Sequence, residues 1–179
     1  MRVKIGGVTV ECVQGDIAAQ DGFDAVVNAA NGQLRPGAGV AGAIHAAAGP
    51  GLDAECRMFA PIRPGQAVIT GGHNLPNPYV IHCLGPVYGE DVPEDEILAR
   101  CYRGALELAE KGGLESIAFP ALSTGIFGYP VRLAARVALK TILLAIPTLK
   151  SVKRVRMVLY KPADLKIHED ALKELTGTS

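Results

Sequence analysis

The stretch Asp24-Ala25-Val26-Val27-Asn28-Ala29-Ala30-Asn31, running on into Pro36-Gly37-Ala38-Gly39-Val40-Ala41-Gly42, constrains this chain more than any other. Its continuous apolar run predicts a strand over Asp24 to Ala29 that is buried on both faces, the pattern of a sheet covered by helices on both sides. The strand ends in asparagines, and a buried amide must find hydrogen-bond partners. Glycines beside a helix N-terminus let backbone N–H groups approach an anion closely. A strand end built this way reads hydroxyls and phosphates at once. It points to a nucleotide or a phosphorylated sugar.

The remaining pattern supplies the rest of that sheet. Arg2 to Ile5 and Val8 to Val13 are β-rich runs separated by Gly6-Gly7, a two-residue hairpin signal. Ala67 to Thr70, Tyr79 to Leu84, Ser116 to Phe119 and Arg154 to Tyr160 read as further strands. Helices are predicted over Val40 to Ala48, Gly51 to Ala60, Pro93 to Lys111, Val131 to Ile146 and Ala163 to Leu175. Pro93 to Lys111 has the clearest ends: Glu94, Asp95 and Glu96 favour its N-terminus and Gly112-Gly113 stops it. Hairpin strands followed by alternating strands and helices give an α/β fold, a mixed sheet with helices on both faces. Ligands of such sheets bind at strand ends, at a switch in strand order.

Composition narrows the function. With 179 residues, the chain is expected to form one domain, 1–179, with a full hydrophobic core. Lys+Arg and Asp+Glu both number 18, so there is no basic excess for a nucleic-acid or anionic-membrane partner. Lys150, Lys153, Arg154 and Arg156 form a local basic patch that reads as a solvated strand entry. Cys12, Cys56, Cys83 and Cys101 are scattered without a CxxC pair, which predicts reduced core thiols and no metal site. His73, His82 and His168 lack metal-ligand spacing, so neither a metal nor a cofactor is expected. Met1 to Gly7 has no apolar leader, and the run Val137 to Ile146 contains Lys140 and stops at Pro147, too short to span a bilayer. A cytoplasmic location with no membrane partner is the expectation.

Three motifs carry chemistry. Gly37-Ala38-Gly39-Val40-Ala41-Gly42 formally matches GxGxxG, the dinucleotide fingerprint. That fingerprint needs its first glycine directly after a strand and an acid at the next strand's end, about 20 residues on. Here the loop Asn31 to Pro36 intervenes, and Asp53 and Glu55 lie in a helical pattern, so hydride transfer is not indicated. A Walker loop is excluded, since no GK[ST] occurs. A second glycine loop, Ser123-Thr124-Gly125-Ile126-Phe127-Gly128, again lies between a buried strand and a helix, where hydroxyls and backbone N–H groups form an anion nest. Two such loops could grip the two phosphates of a diphosphate, with Phe127 covering a sugar face. Finally, in Gly15-Asp16-Ile17 the carboxylate can accept from an exocyclic amine while the Ile17 N–H donates to a ring nitrogen, which suits adenine. The alternative for Asp16 is an N-cap of a helix beginning at Ile17.

Gly15-Asp16-Ile17, Val27 to Asn31, Gly37 to His45 and Ser123 to Pro130 together resemble the motif set of the macrodomain family, in the family's order over nearly the whole chain. The resemblance implies a three-layer α/β/α sandwich with a mixed central sheet that binds ADP-ribose. By that pattern Asp16 and Ile17 recognise adenine, Tyr160 stacks on it, and Asn28 and Asn31 belong to the ligand site, with Asn31 on the distal ribose hydroxyls. Gly37, Ala38, Gly39, Val40 and Ala41 cradle the diphosphate from one side. Ser123, Thr124, Gly125, Ile126 and Phe127 cradle it from the other, with Phe127 against the distal ribose.

One departure bears on chemistry. Many hydrolases of the MacroD-like branch carry an aspartate where this chain has Ala41, so the loop offers no obvious general base. Similar macrodomains with Val-Ala-Gly at this point hydrolyse ADP-ribosyl esters, which implies a substrate-assisted, metal-free route: a ligand phosphate orients water toward the distal ribose C1″ while Asn31 and Phe127 hold that ribose. The implied activity is hydrolysis of mono-ADP-ribosyl links to protein, or of O-acetyl-ADP-ribose. The alternatives are a non-catalytic ADP-ribose reader and an ADP-ribose-1″-phosphate phosphatase. The implied partner is ADP-ribose or an ADP-ribosylated protein. His45, one turn after Ala41, reads as a packing histidine in a small-residue helix. Ser123 has no nucleophile elbow around it, which argues against an acyl-enzyme.

Overall fold

The computed structural model describes residues 1–179. Strands β1 (Arg2–Ile5), β2 (Val8–Gln14), β3 (Ala25–Ala29), β4 (Ala67–Gly71), β5 (Tyr79–Cys83), β6 (Ser116–Phe119) and β7 (Arg154–Leu159) form one seven-stranded sheet in the order β1-β2-β7-β6-β3-β5-β4. The two edge strands pair antiparallel and the five inner ones pair parallel. Helices α1 (Gly39–Ala48) and α2 (Pro50–Cys56) lie on one face. Helices α3 (Glu94–Lys111), α4 (Val131–Ala145) and α5 (Pro162–Thr176) lie on the other. This is the α/β sandwich with a mixed sheet that the strand pattern predicts.

Residue alternation explains the two faces. Val8, Val10 and Cys12 of β2, Val27 of β3 and Met157 of β7 point toward α3, α4 and α5. Val26, Val80, Ala118 and Val158 point the other way, toward α1, α2 and the segment that carries Ile17 and Phe23. Helix α3 places Ile97, Leu98, Cys101, Tyr102, Ala105, Leu106 and Ala109 in the core, a helical stripe in which each large apolar side chain contributes about 1.5–3 kcal/mol.

Three boundaries differ from the sequence expectation. The segment predicted as a helix over Gly51 to Ala60 is helical only over Pro50–Cys56. Residues 57–59 form a turn, because Pro61 disfavours helical backbone at Ala60. Helix α4 gives way to a 3₁₀ turn over Ile146–Thr148 that contains Pro147. No helix follows Asp16; its Oδ1 instead accepts the Ala18 N–H at 2.9 Å, an Asx turn. No helix of the chain is long and apolar enough to cross a membrane.

One polar cluster anchors the open end of the sheet. Glu11 is 2% exposed and accepts from Arg2, Arg154 and Arg156, and both β7 guanidiniums lie over the Phe23 ring at 4.4 and 4.5 Å. Arg154 and Arg156, expected in a solvated strand entry, are thus tied down by a buried carboxylate.

Candidate functional site

A cleft of about 660 Å³ opens at the C-terminal ends of β2, β3, β6 and β7, where the chain leaves the sheet toward different helices. Asp16, Ile17, Asn31, Gly37 to Ala41, Ser123 to Phe127 and Tyr160 all line it. Four segments that are far apart in the chain therefore converge on one space.

The first loop is held open by Asn31. Its Nδ2 donates to the Arg35 carbonyl at 2.8 Å, and its Oδ1 accepts the Arg35 N–H at 2.9 Å. Leu34, fully buried, pins the same turn to the core. The loop then folds back onto the first turn of α1: a Cβ on Gly42 would stand 2.3 Å from the Gly37 carbonyl oxygen, so only glycine fits there. Helix α1 begins with no side-chain cap and no acid in its first turn. The N–H groups of Gly37, Ala38, Gly39, Val40 and Ala41 find no acceptor in the protein. Those of Ala38 to Ala41 are the four orphan donors of a helix N-terminus, and all five residues line the cleft.

The second loop is braced from behind. The buried Tyr102 hydroxyl donates to the Pro120 carbonyl at 3.3 Å and accepts the Leu122 N–H at 3.2 Å, which fixes the exit from β6. Burial pushes that phenol well above its ordinary pKa, so it stays protonated as a donor. Thr124 spends its hydroxyl on the Ala121 carbonyl at 2.8 Å. Ser123 sits at φ 67, and its buried Oγ has no partner. Tyr129 N–H closes the loop onto the Ser123 carbonyl at 2.9 Å, and Gly128 N–H closes it onto Gly125 at 3.0 Å. The N–H groups of Gly125, Ile126 and Phe127 are left without acceptors. Two sets of unpaired backbone donors thus line the same cleft. Such an arrangement suits an extended anion, and neither donor set contains a lysine or arginine.

At the β2 end, Asp16 keeps Oδ2 free, because only Oδ1 is used in its turn, and the adjacent Ile17 N–H has no acceptor. One acceptor and one donor stand side by side there. Tyr160, 80% exposed, presents its ring beside them. Lys161 and Asp164 also line this end and were missed in the sequence reading. Their signal was Pro162, which starts α5 right after β7 and so places both residues at the rim.

Asn28 does not line the cleft, which corrects its placement among the ligand-binding residues. It is 1% exposed and pairs across β3 and β5 with His82, its Nδ2 lying 3.1 Å from His82 Nδ1. That contact makes Nδ1 the acceptor, so Nε2 carries the proton and donates to Thr70 Oγ1 at 2.9 Å. Burial, then the nearby His45, lowers the His82 pKa to about 3, so it is neutral. His45, on the buried face of α1, lies outside the cleft lining, with its pKa also lowered by burial.

The only carboxylates lining the cleft are Asp16 and Asp164, both at the Tyr160 end. Asp53 lies behind Asn31, where it is paired with Arg35 at 2.9 Å and Arg57 at 3.1 Å. The half of the cleft around Asn31, Ala41 and Phe127 therefore has no side-chain base. No three His, Cys, Asp or Glu side chains converge as a metal site.

Known proteins share this architecture. A Macro domain profile matches residues 27–138. A Macro domain-containing protein of Chlorobaculum tepidum is 42% identical over 166 residues, covering 92% of this chain and 96% of that protein. The protein named ADP-ribose glycohydrolase MACROD2 of Xenopus laevis is 44% identical over 168 residues, covering 92% of this chain and 40% of that protein. Among solved structures, the Oceanobacillus iheyensis macrodomain with ADP superposes at a TM-score of 0.94 with 40% identity, over 100% of this chain and 97% of that one. The Trypanosoma brucei macrodomain in complex with ADP-ribose gives 0.84 and 37% identity, over 91% of this chain and 68% of that one. By sequence and by fold, this chain belongs to the Macro domain family.

Proposed function

We propose that the cleft binds ADP-ribose and that the chain, as one domain, releases it from modified protein side chains or from O-acetyl-ADP-ribose. The observation that carries the binding is the pair of unpaired donor sets, Gly37 to Ala41 and Gly125 to Phe127, lining one cleft. A diphosphate fits between them, each phosphate taking backbone N–H groups from one loop. Adenine then falls at Asp16 and Ile17 under the Tyr160 ring. The distal ribose falls between Asn31 and Phe127. The ADP-ribose bound by the Trypanosoma brucei relative and the glycohydrolase name of the Xenopus laevis one support this reading.

The chemistry follows from what the distal half lacks. With Ala41 where an acid would act as base, the substrate's own phosphate orients a water toward C1″ and takes its proton, while the C1″–O bond breaks and the side-chain carboxylate leaves. Asn31 contributes position: its amide is already locked onto Arg35, so the free lone pair and the second N–H are aimed before the ribose arrives. Phe127 excludes bulk water from one sugar face. The same Ala41 favours a second reading, a non-catalytic reader that binds ADP-ribosylated protein and leaves it intact.

One measurement tests the binding and a second separates hydrolase from reader. Calorimetry should rank ADP-ribose above ADP and ADP above AMP; equal affinities would remove Asn31 and Phe127 from the site. Incubation with a glutamate-linked mono-ADP-ribosyl protein should release ADP-ribose over many turnovers. No release at stoichiometric protein would leave the reader.

A further inference from the structure

Three exposed apolar side chains stand on the loop that carries Phe127 and on the segment hydrogen-bonded to it. Ile126 is 88% exposed, Val92 65% and Tyr88 40%. The Tyr88 N–H donates to the Phe127 carbonyl at 2.9 Å, so residues 88–96 are joined directly to the loop that carries Phe127. Tyr129 braces the Tyr88 ring at 4.9 Å. The same segment holds Glu90, Asp91, Glu94, Asp95 and Glu96 and no lysine or arginine. Asp91 and Glu94 shape it by accepting the Val87 and Gly89 N–H groups at 2.8 and 3.1 Å. Glu90, Asp95 and Glu96 are exposed and form no ion pair. Their field reaches the cleft loop: burial first, then Asp95 and Glu94, push the Tyr129 phenol up to about 12.

We infer that this surface docks the polypeptide carrying the ADP-ribosyl group, and that the docked segment is basic. The inference rests on the proposed orientation of ADP-ribose. The bond to protein leaves from the distal ribose, so the attached chain must cross the surface next to Phe127. Lysine and arginine match all three features found there. Their aliphatic stems cover Ile126 and Val92 while their heads reach carboxylates, and a cation over Tyr88 gains a cation–π contact. Behind Asn31, Arg35 and Arg57 share the single carboxylate of Asp53, an excess of positive charge that turns a basic chain toward residues 88–96.

The test compares binding of two peptides that carry ADP-ribose through the same hydrolysis-resistant linkage. One has lysines and arginines flanking the modified residue, the other aspartates and glutamates, and free ADP-ribose is titrated alongside. The basic peptide should bind about tenfold more tightly than the acidic one at low salt, and the gap should narrow at 0.5 M salt. In the Glu90→Gln, Asp95→Asn, Glu96→Gln variant, the ratio between the two peptides should fall toward one. If ADP-ribose binds and the two peptides bind alike, the docking surface is refuted while the cleft stands. If ADP-ribose itself does not bind, the cleft assignment fails and the docking surface fails with it.

Discussion

Gly125→Glu separates binding from folding with unusual clarity. A Cβ built on Gly125 meets no heavy atom within 4 Å, and the glycine does not occupy the left-handed region, so the unligated protein accepts a side chain there. Its N–H is one of the three unpaired donors of the second loop. A glutamate at this point projects into the cleft and sets its carboxylate near a bound diphosphate. Two unit charges about 4 Å apart repel by about 4 kcal/mol at an effective dielectric near 20, and by roughly half that where water enters the cleft mouth. The Kd for ADP-ribose should therefore rise by about 30-fold to 1,000-fold, with bulk adding to the loss. Gly125→Gln carries the bulk without the charge, so the difference between the two variants isolates repulsion. Calorimetry reads the affinities, and thermal melting checks that Tm moves by no more than about 2 °C, as expected for an open surface position. A Kd within threefold of the parent, with the fold intact, would show that the phosphates do not lie against this loop.

Gly42→Ala is the converse case. Its methyl would stand 2.3 Å from the Gly37 carbonyl oxygen, which is backbone, so we expect a loss of about 1–3 kcal/mol in urea unfolding together with weaker ADP-ribose binding. Glu11→Gln should cost about 1–3 kcal/mol at neutral pH, because three guanidiniums lose their shared charge while Arg2 and Arg154 keep part of their hydration. Burial alone would raise the Glu11 pKa, but the bonds from Arg156, Arg2 and Arg154 outweigh it and the net shift is downward. The charged form's contribution is thus complete above the unfolded value near 4.5 and lost as pH falls through the lower folded value, so the parent and variant stabilities should converge in acid. His82 acts from a higher pH and by another route. With a folded pKa near 3 against 6.5 unfolded, it withholds a proton that the unfolded chain takes up, so stability should fall by up to about 1.4 kcal/mol per pH unit below 6.5. His82→Gln should flatten that slope; an unchanged slope would place the titration elsewhere, at His45 or His168.

Sequence pattern revealed the parts of this protein that depend on backbone spacing. The apolar run of β3, the two glycine loops and the helix starts expected at Val40 and Val131 are local signals, since period, breakers and caps act over a few residues. They also located the cleft, because its donors are main-chain N–H groups whose positions follow from where glycines permit a turn. Partnerships across the sheet were not legible. Nothing near Asn28 in the chain announces His82, which lies directly opposite it in the β3–β5 register. Glu11 likewise meets Arg154 and Arg156 only because β2 pairs with β7. The helix expected beyond Cys56 failed for a local reason that was present, Pro61, whose restriction reaches back onto Ala60.

The same distinction separates what binding and catalysis demand of the chain. A diphosphate cradle of main-chain donors tolerates most side-chain changes, provided the glycines keep Gly37 against Gly42 and leave Gly125 open. A general base is one side chain at one position, and Ala41 does not supply it. Restoring an acid there sharpens the point. Ala41 is 4% exposed at the foot of the first loop, among donors that await an anion. A carboxylate in that place would compete with the diphosphate for those N–H groups and repel it. Acid at this position is thus compatible with tight binding only where the ligand's charge is held slightly away, with room for a water between them. On the proposed reading, an alanine here would let a phosphate settle fully against the helix N-terminus, and water activation would pass to the substrate itself.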